Sequence, residues 1–217
     1  IHITSDFPIV AYSHIYNSSV SGATLLLPTN ILGKEYYSIN YTNNSNVGNS
    51  NCWFYVIATE PGTTDIEITP SADAIGHPGG VPFTVTLSQG QVYNVMGTVT
   101  GNSGTDLTGS LVKSLAAGNV CKRIAVFSGS GRIYINCGAG GTSSDNYMVQ
   151  SFPKAAWGKK YLTAPTGVSQ ARNIFRICVS DPTAQVKING VLTTLPLINN
   201  FYYEIPAIDQ PQLIESD

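Results

Sequence analysis

The sequence predicts an all-β chain of two similar β-sandwich-like modules, built from short, mainly antiparallel strands. Three observations carry this. Apolar, β-branched or aromatic runs of roughly four to seven residues recur, with turn residues about every eight to twelve positions. No segment keeps a 3.6-residue apolar period long enough for a helix. One block also occurs twice with the same spacing. Pro28-Thr-Asn-Ile-Leu-Gly33-Lys34-Glu-Tyr36 matches Pro153-Lys-Ala-Ala-Trp-Gly158-Lys159-Lys-Tyr161 without a gap.

Composition sets the class. Charged residues make up 11 % of the 217-residue chain, against a typical ~25 %. Gly, Ser, Thr, Asn and β-branched residues take their place, as in extracellular β proteins. A net charge of −2 with no basic run makes nucleic acid and anionic membranes poor partners. No apolar run approaches the ~18 residues of a membrane span, so membrane insertion is not expected. The chain opens on a strand-like run without a signal peptide or Met, as expected of a piece of a longer secreted protein.

In order, Ile1 and Ile3, the turn Ser5 to Pro8, and Ile9 to Tyr12 read as strand, turn, strand. Thr24 to Leu27 is a short apolar run ending at Pro28. Tyr36 to Tyr41 alternates, and Asn43 to Asn51 is a polar loop. Trp53 to Ala58 and Thr64 to Thr69 then read as a hairpin about Pro61-Gly62, because Pro presets φ and Gly tolerates positive φ. Phe83 to Leu87 and Val92 to Met96 read as a second hairpin about Ser88 to Gln91. Leu111-Val112 and Ile124 to Phe127 follow. Ser151 to Lys160 comes nearest to a helix, but Pro153 and Gly158 limit it to one turn. Phe175, Ile177 and Val179, then Asp181-Pro182, then Val186 and Ile188 repeat the central hairpin.

Aligning the chain on itself gives modules 17–146 and 147–217. Leu111-Val-Lys-Ser114 resembles both Leu213-Ile-Glu-Ser216 and His2-Ile-Thr-Ser5. The order is a tail of one unit, a whole unit, then most of another. The second module has no counterpart of Ile124 to Phe127, whereas Pro8-Ile9-Val10-Ala11-Tyr12 resembles that strand. Residues 1–16 are therefore expected to complete the second module. Phe7 to Tyr12 would pair with the 150–217 region of the same chain, or cross to a neighbouring molecule as a donated strand, giving self-assembly.

Candidate site residues are sparse. Cys121 and Cys137 lie symmetrically about Gly129-Ser130-Gly131. If that tripeptide turns a hairpin, a disulfide is as plausible as two buried thiols. Cys52 and Cys178 sit on equivalent strands of different modules, and no cysteine has zinc-site spacing. His2, His14 and His77 are scattered, so neither a metal site nor a cofactor is expected. There is no Gly-x-Ser-x-Gly elbow for a hydrolase triad. Asp65 and Glu67 share a strand face, where carboxylates usually solvate rather than catalyse. Tyr37, Tyr41 and Tyr203 are the candidate exposed aromatics for a protein or glycan ligand, although strand packing is the commoner role. Asn17, Asn40 and Asn43 open N-glycosylation sequons.

His2 to Ile9, Leu26 to Asn30, Leu32 to Tyr36, Phe54 to Thr59, Thr63 to Pro70, Phe83 to Leu87, Asp106 to Ser110, Ile124 to Gly129 and Trp157 to Lys159 together carry a family resemblance. In this order they resemble the N-terminal domain family of the IgG Fc-binding protein. Relatives often have a Cys-rich, His-containing stretch after that strand, where Arg132 to Tyr147 keeps only Cys137. The resemblance implies an extracellular, non-catalytic binding or scaffolding module at a cell surface or in a secreted protein. It assigns Fc binding to no residue here. A carbohydrate-binding module and a hydrolase are the alternatives.

Overall fold

A computed structural model describes residues 2–18, 20–48, 50–116, 120–134, 143–165 and 173–217. Residues 1–135 with 142–155 make one compact unit, and residues 136–141 with 156–217 a second. The boundary thus falls later than the expected 146/147, and residues 1–16 belong to the first unit.

The strands of the first unit are β1 (Tyr12–Asn17), β2 (Val20–Leu25), β3 (Glu35–Tyr37), β4 (Asn43–Asn44), β5 (Cys52–Ala58), β6 (Thr63–Thr69), β7 (Phe83–Ser88), β8 (Val92–Met96), β9 (Val99–Thr100), β10 (Ser103–Gly104), β11 (Leu111–Ser114), β12 (Ile124–Ile133) and β13 (Asp145–Gln150). Two four-stranded antiparallel sheets, ordered β3-β11-β6-β7 and β13-β12-β5-β8, form a sandwich. Alternation dictates it. Every second residue of β5 is buried, and Phe54 and Val56 meet Tyr36, Ile66, Ile68 and Val112 from the other sheet in one core.

Both expected hairpins are sheet crossings instead. β5 pairs with β12 and β8, whereas β6 pairs with β11 and β7. The Pro61-Gly62 turn is present, with Gly62 at φ 77°, but it carries the chain from one sheet to the other. The turn after β7 does the same. A strand with one apolar face can lie beside its neighbour or across a core from it, and the period is identical in both cases.

The Gly129-Ser130-Gly131 turn is likewise absent, because β12 continues through it from Ile124 to Ile133, with an irregular register against β13 after Ser130. Gly129 is needed there for close approach: a Cβ would collide with the Trp53 indole and the Tyr147 carbonyl oxygen.

The second unit holds β14 (Lys160–Thr163), β15 (Asn173–Cys178), β16 (Val186–Ile188), β17 (Val191–Leu192), β18 (Tyr202–Ile208) and β19 (Gln212–Ser216). Its sheets are β14-β19-β16-β17 and β15-β18. The first order equals β3-β11-β6-β7, and the second equals β5-β8. The hydrogen bonds match as well. Gly33 N–H donates to the Tyr36 hydroxyl at 2.7 Å, and Gly158 N–H to the Tyr161 hydroxyl at 2.7 Å. Ser114 N–H donates to the Lys34 carbonyl at 2.8 Å, and Ser216 N–H to the Lys159 carbonyl at 2.9 Å. The duplicated Pro…Gly-Lys…Tyr block therefore encodes the same strand entry twice.

Charge follows the register with its sign inverted. Lys113 on β11 lies opposite Glu35 and Glu67, while Glu215 on β19 lies opposite Lys160 and Lys187. Lys113 reaches Glu67 at 2.7 Å, and Lys160 reaches Glu215 at 2.9 Å. The hydrogen bond to Glu67, helped by the charges of Glu67 and Glu35, holds the Lys113 ammonium above the ordinary lysine range. Lys113→Glu would set three carboxylates side by side, and urea denaturation should show the chain weakened by about 1 kcal/mol. Adding Glu67→Lys, which restores an opposite-charge pair between β11 and β6 and leaves Glu35 with Lys154, should recover much of the loss.

One difference matters. Among the described residues the second unit has no counterpart of β12 and β13. Phe54 and Val56 are fully buried, whereas their equivalents Phe175 and Ile177 are half-buried. Tyr36 is 0 % exposed and Tyr161 is 51 % exposed. The expected completion by Phe7 to Tyr12 of the same chain is not what the strand makes. Tyr12 pairs with Leu25, and Leu26 N–H donates to the Ala11 carbonyl at 2.9 Å, within the first unit. The hairpin with β2 satisfies these groups locally, at low loop-closure cost.

Candidate functional site

The sequence-predicted residues are less exposed than expected. Tyr37 and Tyr41 are half-buried in the first unit, and the Lys154 ammonium lies 5.9 Å from the centre of the Tyr37 ring. Tyr203 in the second unit is half-buried and packs against that unit's core. In the run Phe201-Tyr202-Tyr203 the sequence does not say which residues are buried; Phe201 and Tyr202 are, and Tyr203 is partly so. Cys121 is half-buried, and the hairpin that would have set it opposite Cys137 is absent. Cys137 itself lies outside the described residues.

The polar candidates are occupied locally. His14 Nε2 lies 3.2 Å from the Ser21 hydroxyl, while Asp145 accepts the Ser21 backbone N–H at 2.8 Å. The carboxylate thus faces the backbone, not the imidazole, and all three residues are exposed. His77 stacks on Phe83 with ring centres 3.6 Å apart and reaches the Tyr93 hydroxyl at 3.0 Å. Asp65 accepts from Thr86, and Glu67 pairs with Lys113. Among the described residues no group of three His, Cys, Asp or Glu side chains could hold a metal ion. Of the sequon asparagines, Asn40 and Asn43 are buried. The Asn40 amide donates to the Trp53 and Gly129 carbonyls at 3.0 Å each, and the Asn43 amide to the Ser50 carbonyl. Asn17 is the exposed one.

A row of exposed apolar side chains lies at the amino-terminal end. Phe7 is 80 % exposed, Tyr12 67 % and Tyr16 82 %, with Ile3, Ile9 and Val10 each more than half exposed. In the sequence this segment reads as a strand in need of a partner; nothing there marks it as a surface. Residues 2–11, with a bend at Asp6-Phe7, lie over the outer face of the β13-β12-β5-β8 sheet. They enclose with it a cleft of about 690 Å³, lined by Ile3, Phe7, Ile9, Leu26, Leu32 and Phe127 among others.

Hydrogen bonds and ring stacking tie the cleft floor together. Gln150 accepts the Leu27 N–H at 2.7 Å and donates its own N–H to the Thr24 hydroxyl at 3.0 Å. Phe127 stacks on Tyr55 at 4.9 Å, and Tyr55 on Trp53 at 5.5 Å. Burial in this stack raises the Tyr55 phenol above the ordinary value of 10.0. Chemically, such a cleft can take an apolar side chain or an extended peptide. His2, Ser5 and Gln150 are among its polar lining residues.

The comparisons with known proteins fit this architecture. The family model described as IgGFc binding protein matches residues 22–217. No curated protein and no solved structure matches the chain. No helix among the described residues is long and apolar enough to cross a membrane. With the family model spanning both sandwich units, the chain belongs to the IgGFc binding protein family.

Proposed function

We propose that this chain is a non-catalytic, extracellular binding module of a secreted or cell-surface adhesin or scaffold, built as a tandem repeat of one sandwich plan. The family supports protein binding as the class of function. The observation that carries the reading is the exposed apolar row of the amino-terminal hairpin above its cleft. Side chains the size of Phe7 and Tyr16 left in water mark a contact surface. The occupied histidines and carboxylates favour binding over turnover.

Biolayer interferometry against an immunoglobulin Fc fragment, alongside a glycan array, tests this. Binding to a protein or glycan, weakened at least about tenfold by Phe7→Ser with Tyr16→Ser, is the expected result. Hydrolysis of a chromogenic ester or glycoside that disappears in His14→Ala would contradict it.

A further inference from the structure

We propose that the cleft beneath residues 2–11 binds a small, uncharged, mainly apolar molecule that carries one hydrogen-bond acceptor, with the Gln150 side-chain amide as its donor. The cleft lies wholly within the first unit.

Its size and lining set the class of ligand. At about 690 Å³ it falls within the roughly 300–1,000 Å³ of small-molecule sites. Leu32, Ile57, Ala125 and Phe127 give it an apolar floor, and Ile3 and Ile9 line it from the amino-terminal segment. The Phe127 ring is backed by Tyr55 and Trp53, which suits a flat ring in the ligand. Among the described residues no Lys, Arg, Asp or Glu lines the cleft, and the one titratable lining residue, His2, is exposed. A charged ligand would shed its hydration there without a counter-charge.

Gln150 adds a directed polar group. It ends β13 and is 5 % exposed. Chemistry fixes its orientation. The Leu27 N–H, 2.7 Å away, requires an acceptor, so Oε1 faces Leu27 and Nε2 takes the other branch of the amide. Nε2 has no hydrogen-bond partner among the described residues. The neighbouring polar side chains differ. Gln89 Nε2 donates to the Thr59 carbonyl at 3.2 Å, and the Thr59 hydroxyl donates to the Arg123 carbonyl at 2.7 Å. Gln150 therefore brings an unsatisfied donor to an apolar cleft, and a ligand acceptor would remove that cost.

A peptide strand matches this less well. Each of its residues would carry in an N–H and a C=O group, whereas one buried side chain offers an unpartnered donor. A single ketone, ester or tertiary amide oxygen on an apolar body matches what is there. The inference concerns the interior of the cleft and does not depend on the protein contact proposed for the exposed row outside it.

The fluorescent ketone 6-propionyl-2-dimethylaminonaphthalene is the probe, titrated into the 217-residue chain with no other partner present. Saturable binding at one site per chain is expected. Gln150→Glu keeps an acceptor for Leu27 and removes the Nε2 donor. It should weaken the ketone at least about tenfold, while the 6-propyl analogue, which lacks the oxygen, changes by less than about threefold. Ala11→Trp, which sets a ring among the lining residues, should abolish binding of both. The infrared carbonyl stretch of the bound ketone should lie below its value in hexane. If Gln150→Glu does not fold, that stretch and Ala11→Trp carry the test. No saturable binding, equal losses of both compounds in folded Gln150→Glu, or an unshifted stretch would overturn the proposal. So would displacement of the probe by the blocked peptide acetyl-Ala-Leu-Ala-amide at lower concentration than by 2-acetylnaphthalene.

Discussion

Phe54→Ala should remove about 3–5 kcal/mol of stability, whereas Phe175→Ala in the dilute chain should cost about half as much. The two phenylalanines occupy equivalent positions on β5 and β15. Phe54 is fully buried under Ile124 and Val126 of β12 and opposite Ile66 and Ile68. Phe175 has the facing sheet but no described strand equivalent to β12, and it remains half-buried. Truncation costs the transfer of the removed atoms plus the cavity left behind. A side chain already part-way into water loses less of the first and leaves less of the second. With domains stable by only about 5–15 kcal/mol, Phe54→Ala should leave the first unit close to unfolding. Separate urea transitions for the two units, followed by Trp53 and Trp157 fluorescence, would measure both costs. Equal losses at the two positions would mean that β15 is as well covered as β5.

Gly129→Ala should be nearly as severe, at about 3 kcal/mol. The glycine sits in the middle of β12, between Trp53 on β5 and Met148 on β13. An added methyl would run into the Trp53 ring and the Tyr147 carbonyl. The ring is held in a stack with Tyr55 and Phe127 and cannot swing aside without breaking it. The same change at Gly131, where the nearest atoms lie 3.6 Å away, should be tolerated. Thermal melts of the two variants give the comparison. A Gly129→Ala chain as stable as the parent would show that the sheet can part at this point.

The pair of glycines also shows what a sequence conveys here. Gly-Ser-Gly has the composition of a turn, and only the packing partner reveals that the first glycine makes room for an indole. Pro61-Gly62 does turn the chain, yet whether it joins neighbours in one sheet or crosses between two depends on which faces share a core. That is a long-range property which period-2 alternation does not contain. The Pro…Gly-Lys…Tyr block was legible because it is local. The tyrosine hydroxyl takes the glycine N–H within a single turn of chain, in both units. The exposure of Tyr203 is not legible because three consecutive aromatics leave the parity of the strand open, and Phe201 and Tyr202 are buried with Tyr203 partly covered. The amino-terminal segment reads as a β12-like strand from sequence. Its hairpin with β2 is not legible there, since β2 reads Val-Ser-Gly-Ala-Thr-Leu and has little apolar alternation.

Hydroxyl-radical footprinting of Tyr161 and Phe175 against Tyr36 and Phe54 tests most directly whether the two units repeat one plan with unequal burial. Tyr161 and Phe175 should react readily, while Tyr36 and Phe54 stay protected. Tyr161 and Phe175 as well protected as Tyr36 and Phe54 would contradict it.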